Sequence, residues 1–108
     1  MKLVLFHPKA REAVRSFPDE IRDQLGRALY RLQIGESLGL PLSRPMPSVG
    51  TGISELRLRG EDGIYRAFYL VRNSQGIMIC HAFQKKTQKT PPLEIELARK
   101  RVKEMLNG

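Results

Sequence analysis

The sequence predicts one α+β domain, in which an N-terminal strand and a helical hairpin precede an antiparallel β-meander and a C-terminal helix. Apolar residues recur at helical spacing on both sides of the chain's middle, at Ile21, Leu25, Ala28 and Leu32 and again at Ile95, Ala98, Val102 and Met105. Between these two stretches, three runs have strand-like patterns, over residues 53–59, 64–72 and 77–83. With 108 residues and 41% hydrophobic content, we expect residues 1–108 to form a single domain.

The N-terminal part predicts a short strand followed by two helices. Residues 3–6 are an apolar run of strand length, and Pro8 suits the first turn of a helix that continues to Phe17. The sequence Ser16-Phe17-Pro18-Asp19-Glu20 breaks that helix and starts another with acidic residues in its first turn. We expect the second helix to end near Gly35 and to form a hairpin with the first.

The middle of the chain predicts a connection and then the meander. Residues 35–52 combine three prolines with several glycines, which predicts a long surface connection without regular structure. The three strands that follow are separated by Gly60-Glu61-Asp62-Gly63 and by Asn73-Ser74-Gln75-Gly76, which are typical of antiparallel turns. Pro91 and Pro92 then open the C-terminal helix.

The charge of the chain favours a polyanionic partner. Nineteen Lys and Arg against eleven Asp and Glu give a formal charge of +8, which attracts nucleic acids first and acidic proteins second. Residues 52–90 contain seven basic side chains and three acidic ones: Arg57, Arg59, Arg66, Arg72, Lys85, Lys86 and Lys89 against Glu55, Glu61 and Asp62. The middle of the chain is therefore predicted to present a basic surface.

Several other kinds of function are excluded by the residues present. His7, Cys80 and His81 are the only soft metal ligands, and we expect the neighbours Cys80 and His81 to point to opposite faces of a strand, so no metal site is predicted. Gly50-Thr51-Gly52 lacks the lysine and the helix of a phosphate-binding P-loop. A lone cysteine and the short N-terminal apolar run lead us to expect a cytoplasmic protein with no membrane segment and no cofactor.

The strands of the meander carry charges where apolar residues are expected. Glu55, Arg57 and Arg59 share one face of the first strand, and taken alone they are more simply a solvated surface with offsetting ion pairs. Arg66 interrupts a strand that is otherwise apolar or aromatic over residues 64–71, so its guanidinium needs a partner. That partner is either Glu55, in a salt bridge, or an anion such as a phosphate, whose oxygens match the guanidinium fork.

The densest group of functional residue types lies in residues 81–91. His81 is followed by Lys85, Lys86 and Lys89 and by two threonines, just before a helix N-terminus that also favours anions. The segment suits a phosphate, although a flexible solvated loop shows the same composition. For His81, a structural imidazole and a catalytic one are equally good interpretations.

Three segments resemble the HigB-like, phage-related branch of the RelE/ParE toxin superfamily: ISELRLRG, IYRAFYLV and HAFQKKTQKTPPLEIELARKRV. The pattern HxFxKKTxKTPxxEIxxA in the last segment is the most specific. The resemblance implies a RelE-like fold, ribosome-dependent cleavage of mRNA without a metal, and a cognate antitoxin that is a small helix-turn-helix protein. ParE-type members instead inhibit DNA gyrase by binding, so that activity and a non-catalytic RNA- or protein-binding module stay open as alternatives.

The resemblance also implies roles for single residues. Metal-independent RNA cleavage needs a base for the 2′-hydroxyl, positive charge for the phosphorane and a proton for the leaving oxygen. Arg66 lies where family members place a catalytic arginine, and Lys85 and Lys86 lie where they place basic residues after the next strand. Glu55 is then a base or an orienter of Arg66, and His81 donates or accepts a proton. The implied RNA-binding residues are Arg57, Arg59 and Lys89.

Overall fold

The computed structural model, described for residues 1–72 and 76–107, is a five-stranded sheet with two helices on one face and one helix on the other. The elements are β1 (Leu3–Phe6), α1 (Pro8–Arg15), α2 (Asp19–Gln33), β2 (Ser43–Pro45), β3 (Ile53–Gly60), β4 (Gly63–Arg72), β5 (Gly76–Lys85) and α3 (Pro92–Asn107). The strand order is β1-β5-β4-β3-β2, in which β1 runs parallel to β5 and every other pair is antiparallel. The predicted α+β class is confirmed, whereas residues 73–75 of the second predicted turn lie outside the described residues.

The segment before β3 differs from its prediction. Ser43–Pro45 forms β2 and pairs with residues 54–56 of β3. Ser43 is buried, and its hydroxyl lies 2.6 Å from the hydroxyl of Tyr69. The expectation of a surface connection without regular structure was therefore wrong at this point. A strand of three residues is too short to show an alternating pattern in the sequence.

Each face of the sheet has its own apolar cluster. On one face, α2 packs Ile21, Leu25 and Leu32 into a cluster with the inward side chains of β3, β4 and β5. On the other face, α3 contributes Ala98 and the apolar residues around it to a cluster with Phe68, Cys80 and Phe83. Burial of apolar surface on both faces is the main force that holds these layers together. Further along the second face, the strands carry charged side chains instead.

A β-bulge in β5 brings two adjacent side chains to the same face. Tyr69 pairs with Ile79 and Phe68 pairs with His81, which leaves Cys80 without a partner in the register. Cys80 packs into the apolar cluster under α3, and the ring of His81 bonds to side chains of α3. The expectation that Cys80 and His81 point to opposite faces was therefore wrong, because a bulge inserts one residue and interrupts the period of two.

Three further observations concern possible metal ligands, the lone cysteine and the helices. Among residues 1–72 and 76–107, no three His, Cys, Asp or Glu side chains are grouped so that they could hold a metal ion. Burial raises the pKa of the Cys80 thiol to about 12, which leaves it a structural residue and not a nucleophile. None of the helices in those ranges is long and apolar enough to cross a bilayer.

Helix α2 holds the end of β3 that extends beyond β2. The side-chain Nε2 of Gln24 donates to the carbonyl of Arg59 at 2.6 Å, and its side-chain Oε1 accepts from the backbone N–H of Arg59 at 3.2 Å. A carboxylate oxygen of Glu20 accepts from the N–H of Glu61 at 2.9 Å. The side chains of Gln24 and Glu20 make the hydrogen bonds that a neighbouring strand would otherwise make. They therefore satisfy the backbone groups of this exposed edge and fix the position of Arg59.

Candidate active site

Three strands place charged side chains on the part of the sheet face beyond the α3 cluster. Glu55, Arg57 and Arg59 follow one another at every second position of β3, as the sequence predicts. In the register of the sheet, Arg57 is directly opposite Arg66 of β4, and Lys85 of β5 is opposite Ile64, two positions before Arg66. The strand period therefore puts the arginines and Lys85 on one face.

Glu55 lies at the centre of this group and is fully buried. Its Oε1 is 3.2 Å from Nη2 of Arg44, 3.7 Å from Nε of Arg66 and 3.8 Å from Nε of Arg57. Three guanidiniums thus share one carboxylate, so the group keeps a net positive charge. Within the described residues, neither Glu55 oxygen nor the Nε atoms of Arg57 and Arg66 make a hydrogen bond. Buried polar atoms without partners are uncommon in folded proteins and mark this group as a candidate functional site.

Arg44 was missed by the sequence analysis. It is the central residue of β2 and pairs with Glu55 across the β2–β3 ladder. Its side chain is 46% exposed, so it reaches the buried carboxylate from the solvent side. Only the pairing of β2 with β3 brings Arg44 here, and the sequence around it shows prolines and glycines with no strand pattern.

Arg66 is 4% exposed, and its Nη1 donates to the carbonyl of Tyr65 at 3.1 Å. Burial lowers the pKa of Arg66, and the neighbouring Glu55 carboxylate opposes that lowering. This position is compatible with either partner that the sequence allows for Arg66, which is the Glu55 carboxylate or an anion such as a phosphate. Glu55 faces the guanidinium, yet its charge is divided among three arginines, so an anion would still be attracted to Arg66.

A cleft of about 560 Å³ opens beside this group, and we call it the basic cleft. It is lined by Arg57, Arg59 and Arg66 from the strands and by the end of β5 with the loop that follows, including Lys85, Lys86, Thr87 and Gln88. Lys85 is half-buried, and desolvation lowers its pKa, with the positive charge of Arg66 acting in the same direction. The cleft therefore combines fixed guanidiniums with a lysine that gives up its proton more readily than an exposed one.

The structure does not bring His81 to the basic cleft. The imidazole is 3% exposed and lies under α3, where its Nε2 is 2.7 Å from Oε1 of Glu94. Nη1 of Arg101 donates to its Nδ1 at 2.5 Å, so Nδ1 accepts and Nε2 carries the proton that is donated to Glu94. Burial lowers the pKa of His81, and the hydrogen bond that the ring donates to Glu94 opposes that lowering. Through these contacts, His81 helps to hold α3 against the sheet.

The other residues that the sequence singled out divide between the cleft and its surroundings. Glu55 lies beneath the guanidiniums, and Arg57, Arg59, Arg66, Lys85 and Lys86 line the cleft itself. Lys89 is exposed in the loop after β5 and is not part of the lining. A group of this kind suits a phosphodiester, because guanidiniums and ammonium groups stabilise the extra negative charge of a phosphorane.

Comparisons with known proteins agree with the fold and with the resemblance in the sequence. The family model described as "Phage derived protein Gp49-like" matches residues 12–103. A comparison with curated proteins gives no match. Among solved structures, the chain is similar to an E. coli toxin RelE mutant in complex with a peptide of the antitoxin RelBc, with a TM-score of 0.60, 18% identity, and coverage of 80% of this chain and 85% of that chain. The chain therefore belongs to the phage-derived Gp49-like family, and it has the RelE fold that its sequence predicts.

Proposed function

We propose that this chain is the toxin of a toxin–antitoxin pair and acts as a metal-independent endoribonuclease on mRNA at the ribosome. The proposal rests chiefly on the basic cleft, in which Arg57 and Arg66, two of the three arginines that share the buried Glu55 carboxylate, lie beside two lysines. The solved RelE structure is that of a toxin bound to an antitoxin peptide, which supports a cognate antitoxin for this chain as well. From the sequence resemblance, we propose that this antitoxin is a small helix-turn-helix protein.

In the proposed reaction, the scissile phosphate binds in the basic cleft against Arg57 and Arg66. The 2′-oxygen of the preceding ribose attacks phosphorus and loses its proton, the bond from phosphorus to the 5′-oxygen breaks, and that oxygen takes up a proton. The products are a 2′,3′-cyclic phosphate and a free 5′-hydroxyl. The two arginines stabilise the pentacovalent phosphorane, whose charge exceeds that of the substrate.

The burial of each side chain supports one of the roles that the sequence left open. Glu55 is fully buried beneath the arginines, so we assign it the role of positioning them and not that of a base. Lys85 lies in the cleft with a lowered pKa, which suits proton transfer. Lys86 is exposed and adds charge for the phosphate backbone, and Lys89, in the loop beyond the cleft, would contact RNA further along the strand.

The proposal is tested by adding the purified chain to a reconstituted translation system and mapping transcript ends by primer extension. We expect discrete cuts in the translated transcript and none in the same transcript without ribosomes. Gyrase supercoiling, measured in parallel with the same preparation, should be unaffected. A block of supercoiling without any cuts would replace the nuclease by a gyrase inhibitor, and the absence of both effects would favour a non-catalytic binding module.

A further inference from the structure

A second cavity adjoins the basic cleft and has no part in the proposed chemistry. It measures about 320 Å³ and shares Arg57, Arg59 and Arg66 with the cleft, while its other walls include Pro41 and Leu42. The three arginines therefore line both spaces. We call the second space the side pocket.

The side pocket exists because β2 covers only part of the edge of β3. The last backbone contact between the two segments is the N–H of Arg57, which donates to the carbonyl of Leu42 at 2.8 Å. Beyond that point, Gln24 holds β3 at Arg59. The chain before β2 is also tied down, because the N–H of Leu42 donates to the carbonyl of Gly39 at 3.1 Å. The walls of the side pocket are thus held by hydrogen bonds on both sides.

The chemistry of the side pocket differs from that of the basic cleft. The cleft offers Lys85 and Lys86, which suit successive phosphates of a backbone. The side pocket has the apolar residues Pro41, Leu42 and Leu58 in its walls together with the arginines. A flat ligand with apolar faces and a polar edge fits such walls, because guanidinium planes stack on rings and their N–H groups donate to ring edges.

A nucleotide held by its phosphate at Arg57 and Arg66 has two adjoining spaces for its ribose and base, because the basic cleft and the side pocket are both lined by these arginines. Because the cleft is lined by lysines that suit the neighbouring phosphates, we propose that the side pocket binds the nucleobase next to the scissile phosphate and sets the base preference of cleavage. This inference rests on the proposed function and names a recognition site for it.

The location of binding can be tested without any cleavage. Backbone amide resonances of the intact chain would be followed by NMR during titration with inorganic phosphate and with each of the four ribonucleoside 3′-monophosphates. We expect phosphate to shift amides around Arg66 and Lys86, and nucleotides to shift Leu42 and Arg59 in addition. If phosphate and nucleotides shift the same amides, the side pocket does not bind the base and the inference is overturned.

Substitution of one pocket wall gives a second readout. Leu42→Ala should weaken nucleotide binding by about fivefold while leaving phosphate binding unchanged, since it removes apolar contact area from the wall that the base would cover. Leu40→Ala is the matched control, because Leu40 is 68% exposed and does not line the pocket. Should Leu42→Ala fail to fold, the wild-type titration still decides the location. Primer extension with the wild-type chain separately decides whether RNA is cut at all, so the two failures are distinguishable.

In the cleavage assay, the same two variants test the base preference. We expect folded Leu42→Ala to change the frequency of each base at the cut positions, and Leu40→Ala to keep the wild-type frequencies. Unchanged frequencies in a folded Leu42→Ala chain would contradict the recognition role while leaving the nuclease itself intact.

Discussion

Arg57 and Arg66 face each other directly across β3 and β4, and the Oε1 atom of Glu55 lies 3.8 Å and 3.7 Å from their Nε atoms. Two like charges in opposed positions destabilise a sheet unless a counter-charge lies close to both. Glu55 supplies that counter-charge from a fully buried position. The sheet thereby holds two guanidiniums side by side at the edge of a cleft, which is an arrangement that favours an anion with several oxygens.

Glu55→Gln should therefore reduce cleavage on the order of 10-fold to 100-fold at every pH, because the arginines lose the charge that positions them. A positioning role leaves the shape of the pH–rate profile unchanged, whereas loss of a general base removes one limb of it. The measurement is the single-turnover cleavage rate across the pH range, with Glu61→Gln, an exposed carboxylate in the next turn, as the control. Disappearance of the acidic limb in Glu55→Gln would show that Glu55 is the base.

Substitutions of Lys85 and Lys86 distinguish a role in proton transfer from a role that needs only a positive charge. Lys85→Arg keeps the positive charge but cannot release a proton near neutral pH, so we expect it to lose activity by about 100-fold or more, as Lys85→Ala does. Lys86→Arg should keep nearly full activity, because exposed Lys86 contributes only charge. Single-turnover rates of the three variants check this, and a fully active Lys85→Arg would restrict Lys85 to an electrostatic role.

Much of the fold could be predicted from the sequence, because α2 shows a clear helical period and β4 is a long run of apolar and aromatic residues between turn residues. The departures occur where a period is too short or is interrupted. Ser43–Pro45 has only three residues, so β2 and its Arg44 could not be recognised. The bulge at Cys80 changed the faces of Cys80 and His81, and no local pattern announced it.

The sequence predicted most residues of the candidate site, but it did not predict which of them line the cleft and which lie elsewhere. Alternation along β3 placed Glu55 with Arg57 on one face, and the structure shows that grouping. The burial of the side chains on this face depends on how far α3 extends over the sheet, and no local sequence pattern encodes that extent. Consequently His81 shares the general face of Arg66, yet it bonds to Glu94 and not to the cleft.

His81 predicts a pH dependence of stability. Its pKa in the folded chain is below the ordinary value of 6.5, because burial disfavours the charged ring and the positive charge of Arg101 acts in the same direction, while Glu94 opposes both effects. The unfolded chain therefore binds more protons below pH 6.5, so the free energy of unfolding falls as pH drops from 6.5 towards the lowered pKa. Urea unfolding between pH 7 and pH 5 should show this fall in the wild type and a smaller one in His81→Gln. Equal slopes in the two proteins would contradict it.

The antitoxin should cover the basic cleft and supply carboxylates to it. Burial of the half-buried Lys85 and the exposed Lys86 against a partner without compensating charges would be costly. Hydrogen exchange on the complex formed by co-expression with the neighbouring open reading frame should show protection of residues 85–90. Protection confined to the α1–α2 hairpin would rule out direct occlusion and point instead to blocked entry into the ribosome.

If the guanidiniums around Glu55 stabilise the transition state of RNA cleavage, removal of Arg66 slows the cleavage step itself. The decisive measurement is the single-turnover cleavage rate of mRNA in preformed ribosome complexes with wild type, Arg66→Ala and Arg27→Ala, where Arg27 is exposed on α2 away from the basic cleft. We predict a loss of about 100-fold or more for Arg66→Ala, with a cooperative melting transition retained, and a wild-type rate for Arg27→Ala. A folded Arg66→Ala that cleaves as fast as the wild type would show that Arg66 takes no part in stabilising the transition state, and an unfolded one would show that Arg66 serves the fold through its ion pair with Glu55.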